Sequence, residues 1–258
     1  MKITIIGAGQ MGSAIIKGLM TVPEYTISAM NPVNPRVKQL AQELNFQLVH
    51  TAAEVNQLQP QVVILTTPAK LTVNVAHELS SLPDSTIFIS AAAGISQQSL
   101  QTVLPNKTVA RIIPNTPVAV NAGTIGLAVA DNTLAAHFTI ITNLLNHLGD
   151  VIQVPERQLE IIGVVGGCGP AFVDVMMDAL SDAAVKYGLD RATSYQLVAS
   201  MVKGSGSLAY DSKLAPALLR DQVTSPGGTT IRGVEALEKH GFRYAIMDAV
   251  NQANGSSK

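Results

Sequence analysis

The sequence has no tryptophan, a single cysteine and little charge, and each shortage removes a class of protein. Aromatic residues make up 4% and charged residues 14% of the 258 positions, against 47% apolar residues. So apolar a chain buries enough surface to offset the entropy of ordering, which excludes a disordered protein. Cys168 alone cannot build an intrachain disulfide framework, and its solitude fits a reducing compartment. With 17 Lys+Arg against 18 Asp+Glu the formal net charge is −1, so the chain lacks both the basic footprint of a nucleic-acid binder and a polybasic membrane anchor. Long hydrophobic runs are missing too. Ile3–Ile6 is too short for a signal segment. Ile161–Val173 is interrupted by Gly166, Gly167, Gly169 and Pro170 and falls short of the roughly 20 residues of a span. That stretch is therefore expected in a core. The composition reads as a soluble cytoplasmic protein of one large or two ordinary domains, with no nucleic-acid and no membrane partner.

What is present divides at about residue 154. Before it, β-rich runs (Lys2–Ile6, Tyr25–Met30, Gln61–Thr66, Thr86–Ser90, Thr108–Ile113 and Thr124–Ala130) alternate with helical patterns (Ser13–Met20, Pro35–Leu44, Pro68–Leu82 and Ser96–Leu104). Several runs are Val, Ile and Leu without polar alternation, as in strands buried on both faces. The alternation predicts an α/β domain over 1–154 with a doubly wound parallel sheet. Residues 155–258 show no strand run. Helices are expected over Ala171–Tyr187, Ala192–Ala209, Ala215–Gln222, Thr229–His240 and Tyr244–Ala253, with a polar, frayed tail from Asn254 to Lys258. These helices carry few charges: Leu189–Ala209 has only Asp190, Arg191, Lys203 and Tyr195. Helices apolar on more than one face bury the surplus against a partner, so a homodimer through the C-terminal helices is expected.

Gly7-Ala8-Gly9-Gln10-Met11-Gly12 follows the first strand and opens a helix. The G-x-G-x-x-G spacing alone is weak, but this context marks a dinucleotide site. Gly7 allows the tight turn, Gly9 lets pyrophosphate approach the backbone, and Gly12 lets helix and strand pack closely. The helix start offers free amides and partial positive charge. An NAD site usually has a carboxylate about 20 residues on, at the end of the second strand. Here Ser28-Ala29-Met30-Asn31 stands there, so no acid repels a 2′-phosphate, and Asn31, Asn34 and Arg36 are candidates to hold it. NADPH is expected over NADH. The plainer reading makes Asn31-Pro32 a turn and Arg36 a solvated helix residue. Other strand ends should line the same cleft: Thr66-Thr67-Pro68, Ala92-Ala93-Gly94 and Pro114-Asn115. Each is otherwise an ordinary βα loop.

In the helical part, Ser225-Pro226-Gly227-Gly228-Thr229-Thr230 precedes a helical pattern. Ser225 reads as an N-cap with Pro226 at the first helical position. Gly227 and Gly228 expose backbone N–H groups, an anion nest suited to a substrate carboxylate. The bland alternative is a helix cap with a glycine turn. Cys168, within Gly166-Gly167-Cys168-Gly169-Pro170, has no activating His or acid nearby in sequence and reads as a small residue at a close approach. Asp174, Asp178 and Asp182 share one helix face, read as a solvated stripe matched in part by Lys186. The five histidines show no metal-ligand spacing, and no metal site is expected.

Taken together, these motifs resemble the pyrroline-5-carboxylate reductase family over nearly the whole chain. The most specific stretch is Val223-Thr224-Ser225-Pro226-Gly227-Gly228-Thr229-Thr230, followed by Gly233 and Leu237-Glu238. Gly7 to Ile15, Ala92-Ala93-Gly94, Pro114-Asn115-Thr116-Pro117 and Gly169-Pro170-Ala171-Phe172 support it. The resemblance implies a Rossmann domain followed by an all-helical dimerisation domain, in dimers that sometimes assemble further. It implies NAD(P)H-dependent reduction of 1-pyrroline-5-carboxylate to L-proline, the last step of proline biosynthesis. By position, Ser225 with the Gly227, Gly228 and Thr229 amides would bind the carboxylate, and Thr230 would hydrogen-bond the ring nitrogen. Gln10, Cys168 and Thr67 stand where the family usually has Asn, Ser and Lys. Two other readings remain open: a β-hydroxyacid-type dehydrogenase, disfavoured because Lys186 lies only near the end of its helix, and a non-catalytic NADPH-binding paralogue.

Overall fold

The apolar runs become strands of one eight-stranded sheet: β1 (Lys2–Ile6), β2 (Thr26–Met30), β3 (Gln47–Val49), β4 (Val62–Leu65), β5 (Ile87–Ser90), β6 (Val109–Ile113), β7 (Gly123–Val129) and β8 (Gly149–Gln153). Their spatial order is β3-β2-β1-β4-β5-β6-β7-β8. The computed structural model describes residues 1–255. By contacts it divides into two compact units, Met1–Gly167 and Cys168–Lys258.

Successive side chains of a strand point to opposite faces, and each face of this sheet is covered. On one side Ile3, Ile5, Val62, Ile64, Ile87 and Ile89 pack in one cluster with α1 (Gln10–Leu19), α2 (Pro35–Leu44) and α6 (Ala135–Asn146). On the other, Ile6, Val63, Leu65 and Phe88 pack with α3 (Ala52–Leu58), α4 (Ala69–Glu78) and α5 (Gln97–Val103). This three-layer arrangement is why β4 and β5 read as uninterrupted apolar runs. Buried Thr4 and Ser28 share a hydrogen bond of 2.8 Å between β1 and β2.

Two strands escaped the sequence reading. β3 has only three residues, and β8 is a half-exposed edge strand with no apolar run. The helices α3 and α6 were also missed, although α3 carries a complete capping box between Thr51 and Glu54. The expectation of a wholly parallel sheet is corrected at one edge: β7 pairs antiparallel with β6, while β7 and β8 are parallel to each other. The reason lies in the connection. Between Ile113 and Gly123 the chain makes only a short 3₁₀ turn, Thr116–Val120. A parallel return needs a crossover of about a dozen or more residues.

Residues 155–167, expected to open the second domain, belong by contacts to the first unit. Glu156 Oε1 accepts from the Gln97 N–H at 2.6 Å and from Arg111 Nη1 at 2.8 Å. Leu159 in α7 (Leu159–Ile162) is buried. A Cβ at Gly126 of β7 would stand 2.6 Å from Ile162 Cγ2, so only glycine admits this approach. After α7 the helix widens into a π turn over Gly163–Cys168 and resumes as α8 (Gly169–Lys186). The glycines and Pro170 therefore do not interrupt the helical run as expected. By length and composition alone, Glu156–Lys186 is apolar enough to cross a membrane. Nor is Ile161–Val173 the core expected of it: Val164 is buried, but Ile161, Val165 and Val173 are exposed.

The second unit is all-helical within the described residues: α8, α9 (Arg191–Ser212), α10 (Pro216–Gln222), α11 (Thr229–Lys239) and α12 (Phe242–Gly255). The expected frayed tail is helical at Asn254 and Gly255, and its last three residues lie outside the described ones. α8 packs on α9, and α11 on α12. Asp190 caps α9 by accepting from the Thr193 N–H at 3.0 Å. The acidic stripe of α8 is met from α9 rather than by Lys186: Arg191 lies 2.7 Å from Asp182, and Tyr195 donates to Asp178 at 3.4 Å. Large apolar side chains lie open along these helices, among them Tyr187 (86% exposed), Val175 and Tyr244 (73% each) and Met247 (64%).

Glu156 yields a prediction about acid stability. Partial burial pushes its carboxyl up, but the Gln97 N–H and the Arg111 guanidinium outweigh this, and its pKa is lowered. A depressed folded-state pKa gives stability that is full above the unfolded carboxylate pKa and is lost as pH falls through the folded one. Urea midpoints are therefore expected to drop between about pH 5 and pH 3, and Glu156→Gln to flatten that part of the curve.

Candidate functional site

In the first unit, the G-x-G-x-x-G segment links β1 to α1 as the sequence predicted. Gly7 has φ +94°, a left-handed backbone that favours glycine, and its N–H donates to Met30 O at 2.8 Å. A Cβ at Gly12 would drive into the Gly7 carbonyl and stand 2.8 Å from Thr66 Oγ1, so α1 comes this close to β1 only with glycine there. Thr66 Oγ1 in turn donates to Gly7 O at 2.6 Å, tying the end of β4 to the loop. Gly9 is the N-cap of α1, with no side chain capping the helix and no atom within 4 Å of where its Cβ would be. The first amides of a helix have no intrahelical acceptor. The loop thus offers Gly9, Gln10, Met11 and Gly12 as an open set of donors at a partially positive helix end. That chemistry fits a pyrophosphate.

At the end of β2 the side chains expected to hold a 2′-phosphate are turned onto the loop itself. Asn31 Oδ1 accepts from the Ala8 N–H at 2.9 Å, and its Nδ2 donates to Pro32 O at 2.7 Å. Asn34 caps α2 by accepting from the Arg36 N–H at 3.0 Å, leaving its own amide N–H groups as donors. Arg36 Nη2 donates to Ala8 O at 2.6 Å, which sets a guanidinium beside the glycine loop. His50, which sequence reasoning left among scattered histidines, bonds through Nδ1 to Asn31 O at 2.8 Å. Among the described residues no carboxylate stands at this strand end; Glu54 nearby is spent on the Thr51 cap.

The other expected loops fall at the ends of β4, β5 and β6, which run parallel to β1 and so end on the same side of the sheet. Thr67 Oγ1 is within 2.9 Å of Thr72 Oγ1, so this residue, where the family usually carries Lys, is engaged with α4 rather than extended. Pro68 is the N-cap of α4, Ala92 is buried, Ala93 is exposed, and Gly94 (φ +74°) stands in open space. Pro114 and Asn115 are buried, and the Asn115 side chain is committed inside the unit: Oδ1 accepts from the Thr124 N–H at 2.8 Å and Nδ2 donates to Gly166 O at 3.0 Å.

In the second unit the helix start differs from the one expected. Ser225 is not its N-cap: α11 begins at Thr229 with Gly228 as cap. Pro226 and Gly227 instead occupy the centre of a tight turn closed by the Gly228 N–H to Ser225 O at 3.0 Å. Gly227 has φ +68°, and Pro followed by a left-handed Gly is the type II pattern. The turn outcompetes the cap because proline and glycine each suit its central positions. A Cβ at Gly228 would collide with Ser225 Oγ, so serine hydroxyl and helix start share one small space. Arg232 Nη1 donates to Gly227 O at 3.0 Å and steadies the turn from the following helix turn. The result still sets a hydroxyl, the free first amides of an 11-residue helix, and the exposed Thr229 and Thr230 around one helix end. Arg232 was missed because an arginine four residues into a helix gives no sequence signal. Cys168 is exposed and free. Among the described residues no group of three or more His, Cys, Asp or Glu side chains converges as a metal site would require.

Comparison with known proteins agrees with this geometry. Residues 156–258 match the family model described as pyrroline-5-carboxylate reductase dimerisation, and residues 2–94 the one described as NADP oxidoreductase, coenzyme F420-dependent. The chain is 31% identical to a pyrroline-5-carboxylate reductase of Methanosarcina acetivorans, over all of this chain and 97% of that one. It is 33% identical to pyrroline-5-carboxylate reductase 3 of Rattus norvegicus, over 100% and 95% of the two chains. The crystal structure of a Plasmodium falciparum pyrroline carboxylate reductase with NADP bound superposes with a TM-score of 0.86 at 26% identity, covering 100% and 97%. That of a Coxiella burnetii pyrroline-5-carboxylate reductase gives 0.85 at 28%, covering 98% and 96%. A prephenate dehydrogenase from A. aeolicus, at 15% identity and TM-score 0.56, shares the fold alone.

The close approach at Gly12 makes a testable demand. Gly12→Ala must push α1 off the end of β1, and is expected to weaken NADPH binding by about ten-fold or more, with a lower melting temperature. Fluorescence titration and a thermal melt measure the two effects.

Proposed function

Because the chain belongs to the pyrroline-5-carboxylate reductase family, we propose that it reduces 1-pyrroline-5-carboxylate to L-proline with NADPH as the preferred hydride donor, the last step of proline biosynthesis. The observation that carries this reading is likeness over all of this chain and 97% of two relatives of that name. The NADP bound by the Plasmodium relative supports the choice of cofactor. So does the absence of a carboxylate at the end of β2, where Asn31, Asn34 and Arg36 stand instead. NADH remains the weaker alternative.

In the proposed reaction residues 1–154 bind the dinucleotide and residues 155–258 the substrate and a second copy of the chain. The amides of Gly9 to Gly12 hold the pyrophosphate, with Gly7 and Ala8 shaping the turn. Thr66, Thr67, Pro68, Ala92, Ala93, Gly94, Pro114 and Asn115 flank the cofactor. Ser225 and the amides of Gly227, Gly228 and Thr229 receive the substrate carboxylate, and Thr230 Oγ1 hydrogen-bonds the ring nitrogen. NADPH, when bound, supplies a hydride to the imine carbon. A protonated cyclic imine accepts hydride readily, so the protein's task is mainly orientation. This accounts for a site without an acid–base dyad: Thr230 steadies a nitrogen whose charge changes, and the carboxylate clamp fixes the face attacked.

The exposed apolar side chains of α8 to α12 support a homodimer through these helices, and higher assembly is left open. A family model for dimerisation covers the same residues. We place the enzyme in the cytoplasm, consistent with a lone exposed cysteine.

Loss of NADPH absorbance on adding 1-pyrroline-5-carboxylate tests the reading, with L-proline as the product; no turnover, or a higher kcat/KM with NADH, would refute the corresponding part. Thr230→Ala is expected to lower kcat by about ten-fold or more while the KM for NADPH changes little; unchanged turnover removes Thr230 from the chemistry. Light scattering at micromolar protein is expected to give a dimer or a multiple of one, and monomer alone would contradict the assembly.

A further inference from the structure

The π turn at Gly163–Cys168 has a covalent cause. In an α-helix the carbonyl of residue i accepts from the N–H of residue i+4. For Gly166 that residue is Pro170, which has no N–H, and whose ring crowds the carbonyl four residues before it. The helix relieves the clash by widening to π geometry at this point. The Gly166 carbonyl, freed from the α register, is taken by the Nδ2 of Asn115 at 3.0 Å.

Asn115 is held in place to do this. It is only 7% exposed. It sits just after β6, between Pro114 and the 3₁₀ turn, on the side of the sheet where the cofactor loops lie. Its other amide atom accepts from the Thr124 N–H at 2.8 Å, so both ends of the side chain are committed and its orientation is set. The rest of the segment is seated on the same strands. A Cβ at Gly163 would stand 3.1 Å from Ile113 Cδ1, and Leu159 and Val164 are buried. One side chain thus joins a cofactor-side loop, the first residues of β7, and the π turn with which the first compact unit ends.

We propose that Asn115 is a positioning residue for hydride transfer: by holding the Gly166 carbonyl, which Pro170 cannot serve, it fixes the π turn with which the first unit ends. The inference rests on the reductase reading and deepens it. Hydride transfer tolerates little misplacement, so loosening of this turn should show in kcat before it shows in NADPH binding.

Asn115→Asp tests this with one atom. The substitution keeps an acceptor for the Thr124 N–H and removes the donor to Gly166. It is expected to lower kcat by about 10–100-fold, with KM for NADPH within about three-fold of wild type. The primary deuterium isotope effect on kcat, with NADPH labelled at the transferred position, is expected to rise. Without cofactor, amide exchange across Gly163–Ala171 is expected to speed up, and the melting temperature to fall, because a carboxylate oxygen then faces the Gly166 carbonyl in a nearly buried site. Pro170→Ala adds no charge and separates the loss of kcat from that of stability. Pro170→Ala is the second variant, used in case Asn115→Asp does not fold. It returns an N–H to the helix, lets Gly166 rejoin the α register, and is expected to give the same kcat loss without touching the loop after β6. Wild-type kcat and isotope effect in either folded variant would overturn the proposal alone. A wild-type enzyme inert toward 1-pyrroline-5-carboxylate would overturn the reductase reading, and this proposal with it.

Discussion

The missing side chain at Gly12 is the constraint from which most of the first unit follows. With hydrogen there, α1 lies against the Gly7 carbonyl and Thr66, and its first amides open at the ends of the parallel strands. Everything nearby is bonded to keep that loop in place. Met30 O takes the Gly7 N–H, Asn31 takes the Ala8 N–H, and Arg36 caps the Ala8 carbonyl. What remains unbonded is the run of donors from Gly9 to Gly12, the part a pyrophosphate would satisfy. The site exists because the neighbouring groups are satisfied by one another.

Much of this was legible in the chain, for reasons that can be located. Buried parallel strands announce themselves because both faces must be apolar, which exposed β1, β4 and β5 at once. β3 and β8 could not be read so, being short or at an edge where polar residues are tolerated. The reversal at β7 was hidden because strand runs carry no direction. Only the length of the connection does, and the Thr116–Val120 turn is too short for a parallel return. The two glycine loops were found because their backbones demand glycine or proline. The roles of side chains around them were harder. Asn31, Asn34 and Asn115 were all singled out as cofactor donors, and each is bonded within the protein, because an asparagine beside a turn serves the backbone first. His50 gave no signal because its partner comes from the fold, and Arg232, which bonds only five residues back, looks like any helical arginine.

The two proposed ligand sites share one physical device and differ in how it is shaped. Each is the start of a helix laid bare by glycine. At α1 the cap residue itself is glycine and no side chain intrudes. At α11 a type II turn places Ser225 against Gly228, so the amides come with a hydroxyl attached. A diphosphate needs several amides and room, whereas a single carboxylate needs fewer amides and a directional partner. Neither site relies on a titrating group, so the pH dependence of turnover should follow the imine's protonation rather than a side chain of the protein.

The openness of the helical half has a consequence for how the protein comes into being. Its helices bury few of their own residues, Ser181, Ser194 and Val198 among them, whereas the sheet half seals two cores by itself. The sheet half also leaves the ribosome first and can collapse before the rest is made. With the dimer proposed above, the later half emerges with its apolar faces open and keeps them so until a sister chain covers them. Newly made molecules are therefore at their most vulnerable to proteases and to clumping just after release, and scarcity of the protein would itself shorten its life.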